Sequence, residues 1–170
     1  EACGIVTKIG DKVTQFKVGD TVSSIPFYTQ QYGVQGEYAI VPEKYLSLSP
    51  KHFSAQESTS FWMQYLTAYY ALFEIGNVKA NDFVFIPAAT STAGQGCLAL
   101  AKNAGAVVIA TTRNETKKDF LLEIGADYVL TANDNIEEKL LEITENKGVN
   151  FVFDPIAGSF TNHYMNAIAP

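Results

Sequence analysis

From residue 78 onward, short apolar runs alternate with longer stretches of helical periodicity. The runs show no clear alternation of polar and apolar residues, which is typical of parallel strands covered on both faces. Their order predicts strand 83–87, helix 93–103, strand 106–111, helix 115–123, strand 127–130, helix 135–146 and strand 150–154. Because the connections are short, right-handed crossovers are favoured. The pattern therefore predicts an α/β fold with a Rossmann-type parallel sheet.

The residues before this region follow two other patterns. Residues 1–50 contain strand-like stretches separated by turn residues, which predicts an all-β region. Its predicted strands are 3–9, 20–25 and 37–41. Residues 51–76 are helical in period and rich in aromatic side chains, and Ser54 and Glu57 have the spacing of a capping box at the helix start. An aromatic stripe on this helix indicates packing rather than ligand binding, and its members are Trp62, Tyr65, Tyr69 and Phe73.

Composition narrows the classes of function. The chain has 170 residues, 47% of them hydrophobic, and a formal net charge of −6. This acidic balance argues against nucleic acid or an anionic membrane surface as a partner, and no apolar run approaches the roughly 20 residues of a membrane span. Cys3 and Cys97 lie far apart and give a poor basis for a disulfide framework or a thiolate metal site. We expect two free thiols in a reducing, cytoplasmic compartment.

The turn after the first strand of the α/β region has small residues where a dinucleotide site needs them. Such a site needs room where the chain bends, where the backbone nears the pyrophosphate and where helix and strand touch. Only the last of these positions is a glycine here, so an ordinary small-residue turn is the alternative. Hydroxyl groups in the turn and the N–H groups at the helix start are suited to phosphate oxygens. The candidate cofactor-binding residues of the turn are Ala89, Thr90, Ser91, Thr92, Ala93 and Gly94.

The end of the second strand favours a phosphorylated cofactor. An acid at this position would bind the adenosine ribose 2′-OH and repel a 2′-phosphate. The chain instead continues with Thr112 and Arg113, and Lys117 follows one turn into the next helix. A guanidinium offers a planar fork for phosphate and a lysine offers a point charge, although Glu115 dilutes the positive field. We expect NADPH rather than NADH, the alternative being a solvated helix start.

Seven short motifs also occur along the chain in a fixed order. They are EACGIV at 1–6, VGDTV at 18–22, GEYA at 36–39, LTAYYAL at 66–72, IPAATSTAG at 86–94, GAD at 125–127 and VFDPIAG at 152–158. Together they resemble the medium-chain dehydrogenase/reductase superfamily, and specifically its zinc-independent quinone oxidoreductase branch. The resemblance covers essentially the whole chain.

The resemblance implies a domain organisation. Residues 1–50 are expected to form part of a GroES-like β-barrel domain, residues 51–76 an interdomain helical segment, and residues 77–170 part of a Rossmann dinucleotide-binding domain. Members of the family carry further barrel and Rossmann sequence on either side. We therefore expect a central fragment that is inactive alone, and a homodimeric full-length protein.

Further site residues are implied by the resemblance. It places Thr67 near the nicotinamide ring, and it places Ile156 and Gly158 along the nicotinamide side. Asp154 follows a strand at the edge where ligands bind, although it could instead cap the next helix. No catalytic acid is assigned, because the acceptor-side residues of the family mostly precede residue 1.

No zinc site is expected. The family position for a zinc ligand near the interdomain helix falls in residues 61–65, which contain no Cys, His or acid, and the interval 22–36 contains none of the four cysteines of a structural zinc lobe. His52 and His163 have no companion ligands at metal spacing.

Without a Lewis acid, alcohol oxidation is unattractive, whereas hydride transfer to an activated acceptor needs mainly positioning. The sequence thus predicts an NADPH-dependent reductase of a small-molecule quinone or α,β-unsaturated carbonyl. One alternative is an acyl-CoA or polyketide-type enoyl reductase, or another alcohol dehydrogenase-like member of the superfamily. A second is a non-catalytic NADPH-binding protein. A methyltransferase-like site is disfavoured, because an acid normally ends its second strand.

Overall fold

The computed structural model describes residues 1–27, 31 and 33–170, which fall into two compact units, Glu1–Met63 and Gln64–Pro170. The first unit contains three strands, which are β1 (Cys3–Ile5), β2 (Thr21–Ser24) and β3 (Leu46–Leu48). They form an antiparallel sheet with β2 in the centre. The side chains of Val22, Ser23 and Ser24 are buried there.

The predicted strand 37–41 is wrong. Residues 37–41 have no regular secondary structure, and it is β3 that pairs with β2. Tyr38 and Ile40 are 83% and 84% exposed. An alternating pattern gives a strand only where a neighbouring strand takes up its backbone hydrogen bonds, and no described strand pairs with this stretch.

The capping box at the start of the long helix is confirmed. The Ser54 N–H donates to Glu57 Oε2 at 2.7 Å, and the Glu57 N–H donates to Ser54 Oγ at 3.2 Å. The helix α1 (Ala55–Tyr69) begins directly after this cap and continues as a π-helical stretch, Tyr70–Ile75.

The second unit carries the predicted parallel sheet. Its strands are β4 (Phe83–Ile86), β5 (Val107–Thr112), β6 (Tyr128–Thr131) and β7 (Phe151–Val152), in the order β6-β5-β4-β7. Its helices are α2 (Thr92–Asn103), α3 (Lys118–Glu123) and α4 (Ile136–Ile143). Short 3-10 turns cover Glu115–Lys117, Gly158–His163 and Met165–Ala167. The element types agree with the sequence prediction, and the boundaries are shorter by a few residues.

The sheet is buried on both faces, as its apolar strands predict. On one face, Val84 and Val108 pack in a cluster with Leu98 of α2 and Leu121 of α3. Alternate residues of the same strands point to the other face, where the cluster contains Phe85, Ile109, Leu140, Val149 and Tyr164. This alternation gives the sheet two separate cores.

The order of the strands fixes where a ligand would bind. The chain starts the sheet at β4, adds β5 and β6 on one side and then returns to add β7 on the other. In such a doubly wound sheet the crevice lies outside the carboxyl ends of the strands, where the order reverses. No helix within the described parts of the chain is long and apolar enough to cross a bilayer.

Candidate cofactor site

A cleft of about 740 Å³ opens at the carboxyl edge of the parallel sheet. Its walls come from the segments that follow all four strands, since parallel strands end at the same edge. The lining residues are Ala88, Thr90, Ser91, Thr111, Thr112, Arg113, Thr131, Ala132, Asp134, Ile136, Pro155, Ile156, Phe160 and His163. The volume lies in the range typical of ligand sites.

The turn after β4 is held in place by its own hydrogen bonds. Ser91 is the N-cap of α2, and its Oγ accepts the N–H of Gly94 at 3.1 Å. The side-chain amide of Gln95 donates to the carbonyl oxygen of Thr90 at 3.0 Å. A serine hydroxyl that accepts one hydrogen bond still has a proton to donate. Ser91 therefore caps the helix and also presents a donor to the cleft.

Gly94 sits where the helix and the strand approach most closely. A Cβ at this position would lie 2.7 Å from Cα of Ala89 and 2.8 Å from the carbonyl oxygen of Ala88. Both are backbone atoms, which cannot move aside as a side chain could. Gly94 thus occupies the position of the third glycine of a dinucleotide turn, where close packing of helix and strand excludes a side chain. This geometry fits a dinucleotide at the start of α2.

The two threonines at the end of β5 tie that strand to its neighbours. Thr111 Oγ1 accepts the N–H of Ala88 at 3.2 Å, and Thr112 Oγ1 accepts the N–H of Asn114 at 3.2 Å. Both side chains are buried. Their hydroxyl groups therefore shape the rim of the cleft by organising the two loops beside it.

Arg113 follows directly and is exposed at the wall of the cleft. The ion pairs of the described chain are Lys102–Asp127, Lys139–Glu142 and Lys147–Glu145, so neither Arg113 nor Lys117 is paired with an acid among the described residues. An unpaired guanidinium at the end of the second strand is available for an anionic group.

The end of β6 contributes a wall that the sequence prediction missed. Thr131, Ala132, Asp134 and Ile136 line the cleft. Asp134 Oδ2 accepts the N–H of Thr131 at 2.7 Å and its hydroxyl at 3.0 Å. The hydrogen bond from the Thr131 backbone is the main reason why the pKa of the Asp134 carboxyl is lowered. The predicted strand 127–130 was itself a signal, because residues after it must reach the same edge as those after β4 and β5.

Asp154 organises the loop after β7. Its Oδ1 accepts the N–H groups of Ile156 at 2.7 Å and Ala157 at 3.0 Å, and its Oδ2 accepts the Tyr164 hydroxyl at 2.7 Å. Burial raises the pKa of Tyr164 to about 12, and the hydrogen bond to Asp154 adds to the shift. Ala157 has φ of 53°, a conformation that few residues other than glycine adopt. The carboxylate thereby fixes the bend that brings Pro155 and Ile156 to the cleft.

The structure brings together only part of the predicted site. Thr90, Ser91, Thr112, Arg113 and Ile156 line the cleft. The remaining predicted residues do not line it, and they are Thr67, Ala89, Thr92, Ala93, Gly94, Lys117, Asp154 and Gly158. Among these, Ala89, Gly94 and Asp154 act on the cleft through backbone packing or loop geometry.

Metal-ligating side chains are dispersed in the described structure. Within the described ranges, no three His, Cys, Asp or Glu side chains come together around one point. The interval 22–36 lies partly outside those ranges, so the absence of zinc stays a prediction. Cys97 is fully buried, and burial raises the pKa of its thiol to about 12.

Known proteins resemble the chain over its whole length or nearly half of it. The sequence model of the zinc-binding dehydrogenase family matches residues 93–170. One chain of the phenolphthiocerol/phthiocerol polyketide synthase of Mycobacterium tuberculosis is 30% identical across 100% of this chain, which corresponds to 8% of that protein.

Two solved structures share both sequence and fold with the chain. The quinone oxidoreductase of Pseudomonas syringae is 26% identical, with a TM-score of 0.83 over 99% of this chain and 51% of that one. A 2-haloacrylate reductase is 27% identical, with a TM-score of 0.85 over 100% of this chain and 53% of that one. The chain thus spans about half the length of these two proteins and a small part of the polyketide synthase.

These matches agree with the doubly wound sheet, its carboxyl-edge cleft and the close approach at Gly94. On this evidence, the chain belongs to the medium-chain dehydrogenase/reductase superfamily of NAD(P)-dependent oxidoreductases.

Proposed function

We propose that the chain is the cofactor-binding part of an NADPH-dependent reductase that reduces a quinone or an α,β-unsaturated carbonyl compound without zinc. One observation carries the choice of cofactor: Arg113, unpaired with any described acid, stands at the cleft where an NADH-specific site has an acid. When bound, NADPH supplies the hydride.

The turn after β4 is proposed to hold the pyrophosphate. The first N–H groups of a helix have no intrahelical acceptor, and the helix dipole adds positive potential at this end. In α2 these groups belong to Thr92 and Ala93, beside the hydroxyl of Ser91. Gly94 keeps the turn close enough to the strand for the phosphates to reach these donors.

Arg113 and Lys117 are proposed to hold the 2′-phosphate. A guanidinium binds phosphate through two parallel hydrogen bonds, and a lysine four residues later adds charge from the next turn. The loop after β6 closes the adenosine end, and Ile156 with Pro155 forms an apolar wall on the other side. Thr67, on α1, keeps its proposed role beside the nicotinamide.

A second candidate is an enoyl reductase that acts on acyl or polyketide thioesters. It is supported by the polyketide synthase that matches the entire chain at 30% identity. Both candidates use the same cofactor and differ in the acceptor. NADPH oxidation by the full-length protein, measured with a simple benzoquinone and with a crotonyl thioester in parallel, distinguishes them. Tight NADPH binding with no oxidation by either compound would instead support a non-catalytic role.

Arg113→Ala tests the cofactor assignment. We expect the dissociation constant for NADPH to rise about 10- to 100-fold, because a charge-assisted hydrogen bond contributes about 1.5–3 kcal/mol. The constant for NADH should change less than about twofold, since NADH has no 2′-phosphate. Titration calorimetry measures both, and Arg113→Lys, which keeps the charge without the fork, should lie between. Equal losses for the two cofactors would contradict the assignment.

A further inference from the structure

Two acids lie at the adenosine end of the cleft, and both are held by neutral donors. Glu115 Oε1 accepts the side-chain amide of Asn133 at 3.0 Å. Asp134 Oδ2 accepts the N–H and hydroxyl of Thr131. All of these donors belong to the end of β6 and the loop that follows it. Neither acid is paired with Arg113 or Lys117 among the described residues.

This arrangement is not the one that charge alone would favour. Glu115 is two residues from Arg113 and two from Lys117, and all three side chains are exposed. The two long cationic side chains could therefore reach its carboxylate. An exposed ion pair of this kind is worth up to about 1 kcal/mol. The hydrogen bond from Asn133 holds the Glu115 carboxylate toward the loop after β6, and the cations stay unpaired.

We propose that Asn133 is a positioning residue for cofactor selectivity: it holds the Glu115 carboxylate so that Arg113 and Lys117 remain available to a phosphomonoester. This inference rests on the proposed function, since the phosphomonoester is the 2′-phosphate of NADPH. Asn133 itself does not line the cleft. Its influence on the phosphate passes through Glu115, which it keeps from neutralising the cations and repelling the dianion.

Four variants form the test: Asn133→Ala, Glu115→Gln, the double variant and Glu123→Gln. Glu123 is exposed at the far end of α3 and outside the cleft, so its substitution removes the same charge without touching the contact. The dissociation constants of NADPH and NADH are measured by calorimetry on the full-length protein. Thermal melts verify that each variant is folded.

We expect Asn133→Ala to weaken NADPH about two- to fivefold and to leave NADH unchanged, because the released carboxylate competes for Arg113 and Lys117. In the Glu115→Gln background no carboxylate can be released, so adding Asn133→Ala should have no further effect. Glu123→Gln should behave as the unmodified protein. Rescue by Glu115→Gln is the result that a merely structural role of Asn133 would not produce.

Equal weakening of both cofactors by Asn133→Ala, or failure of Glu115→Gln to abolish its effect, would overturn the inference. Arg113→Ala separates this failure from that of the proposed function. If Arg113→Ala is selective for NADPH and Asn133→Ala is not, only the positioning role is refuted. If Arg113→Ala weakens both cofactors equally, the 2′-phosphate assignment itself is refuted.

Discussion

Gly94 is the residue at which the strand, the turn and the helix of the cofactor site depend on one another. Gly94→Ala would place a methyl group within 3 Å of three backbone atoms of Ala88 and Ala89. We expect it to destabilise the fold by about 1–3 kcal/mol and to weaken both NADPH and NADH, because α2 must move away from β4. Urea unfolding and calorimetry measure the two effects.

Gly10→Ala is the control for this substitution. A Cβ at Gly10 meets no atom within 4 Å, so its effect on stability should stay within about 0.5 kcal/mol. Unchanged stability and cofactor binding in Gly94→Ala would show that α2 does not need this close approach.

The residues of the turn also show what a sequence can indicate. The three-glycine pattern is not met here, yet the one glycine that remains is the one whose Cβ has no room. Ala88 has φ of 48° and is still not glycine. The steric requirement at Gly94 was readable from the pattern of small residues. The positive φ of Ala88 was not, because it follows from the tertiary hydrogen bonds around the turn.

At the scale of elements, the loop after β7 depends on one carboxylate and one phenol. Because Tyr164 keeps its proton more tightly in the folded chain, the unfolded chain ionises first as the pH rises. The contribution of this group to stability is complete below pH 10 and is lost as the pH rises through the folded-state pKa of about 12. We expect the free energy of unfolding of the wild type to fall more steeply above pH 10 than that of Tyr164→Phe.

At neutral pH, Tyr164→Phe should cost about 2 kcal/mol, since it removes a hydrogen bond to a charged group. Tyr128→Phe is the matched control, because Tyr128 is 44% exposed on β6, and it should change stability by less than about 0.5 kcal/mol. Urea titrations from neutral to alkaline pH provide the measurement. Parallel alkaline curves for the wild type and Tyr164→Phe would argue against the Asp154–Tyr164 contact.

Elements were predicted well where their burial is local and poorly where it depends on a partner. Strands β4, β5 and β6 have continuous apolar runs that only a sheet covered on both faces requires. Residues 37–41 have an equally good strand pattern, but no described strand pairs with them. The walls formed by Thr131 and Asp134 were missed because no recognised motif covers the residues after the third strand of the sheet. The bend at Ala157 depends on a carboxylate that the sequence offered equally as a helix cap.

At the scale of the whole molecule, a chain of net charge −6 is proposed to bind a polyanion. The general field of the chain repels NADPH and NADH alike, so it largely cancels from the ratio of their dissociation constants. The attraction of Arg113 and Lys117 for the 2′-phosphate acts on NADPH alone and remains in the ratio. The ratio therefore isolates the local site from the acidic background.

Salt separates these two contributions. The Debye length falls from about 10 Å at 0.1 M to about 3 Å at 1 M ionic strength, which screens the exposed cations of the site. We expect the preference for NADPH over NADH to shrink as salt increases, even where the affinity for NADH rises because general repulsion is relieved. Calorimetry with both cofactors at low and high potassium chloride measures this, and Arg113→Ala should flatten the dependence. A preference that grows with salt would mean that contacts other than these cations select the cofactor.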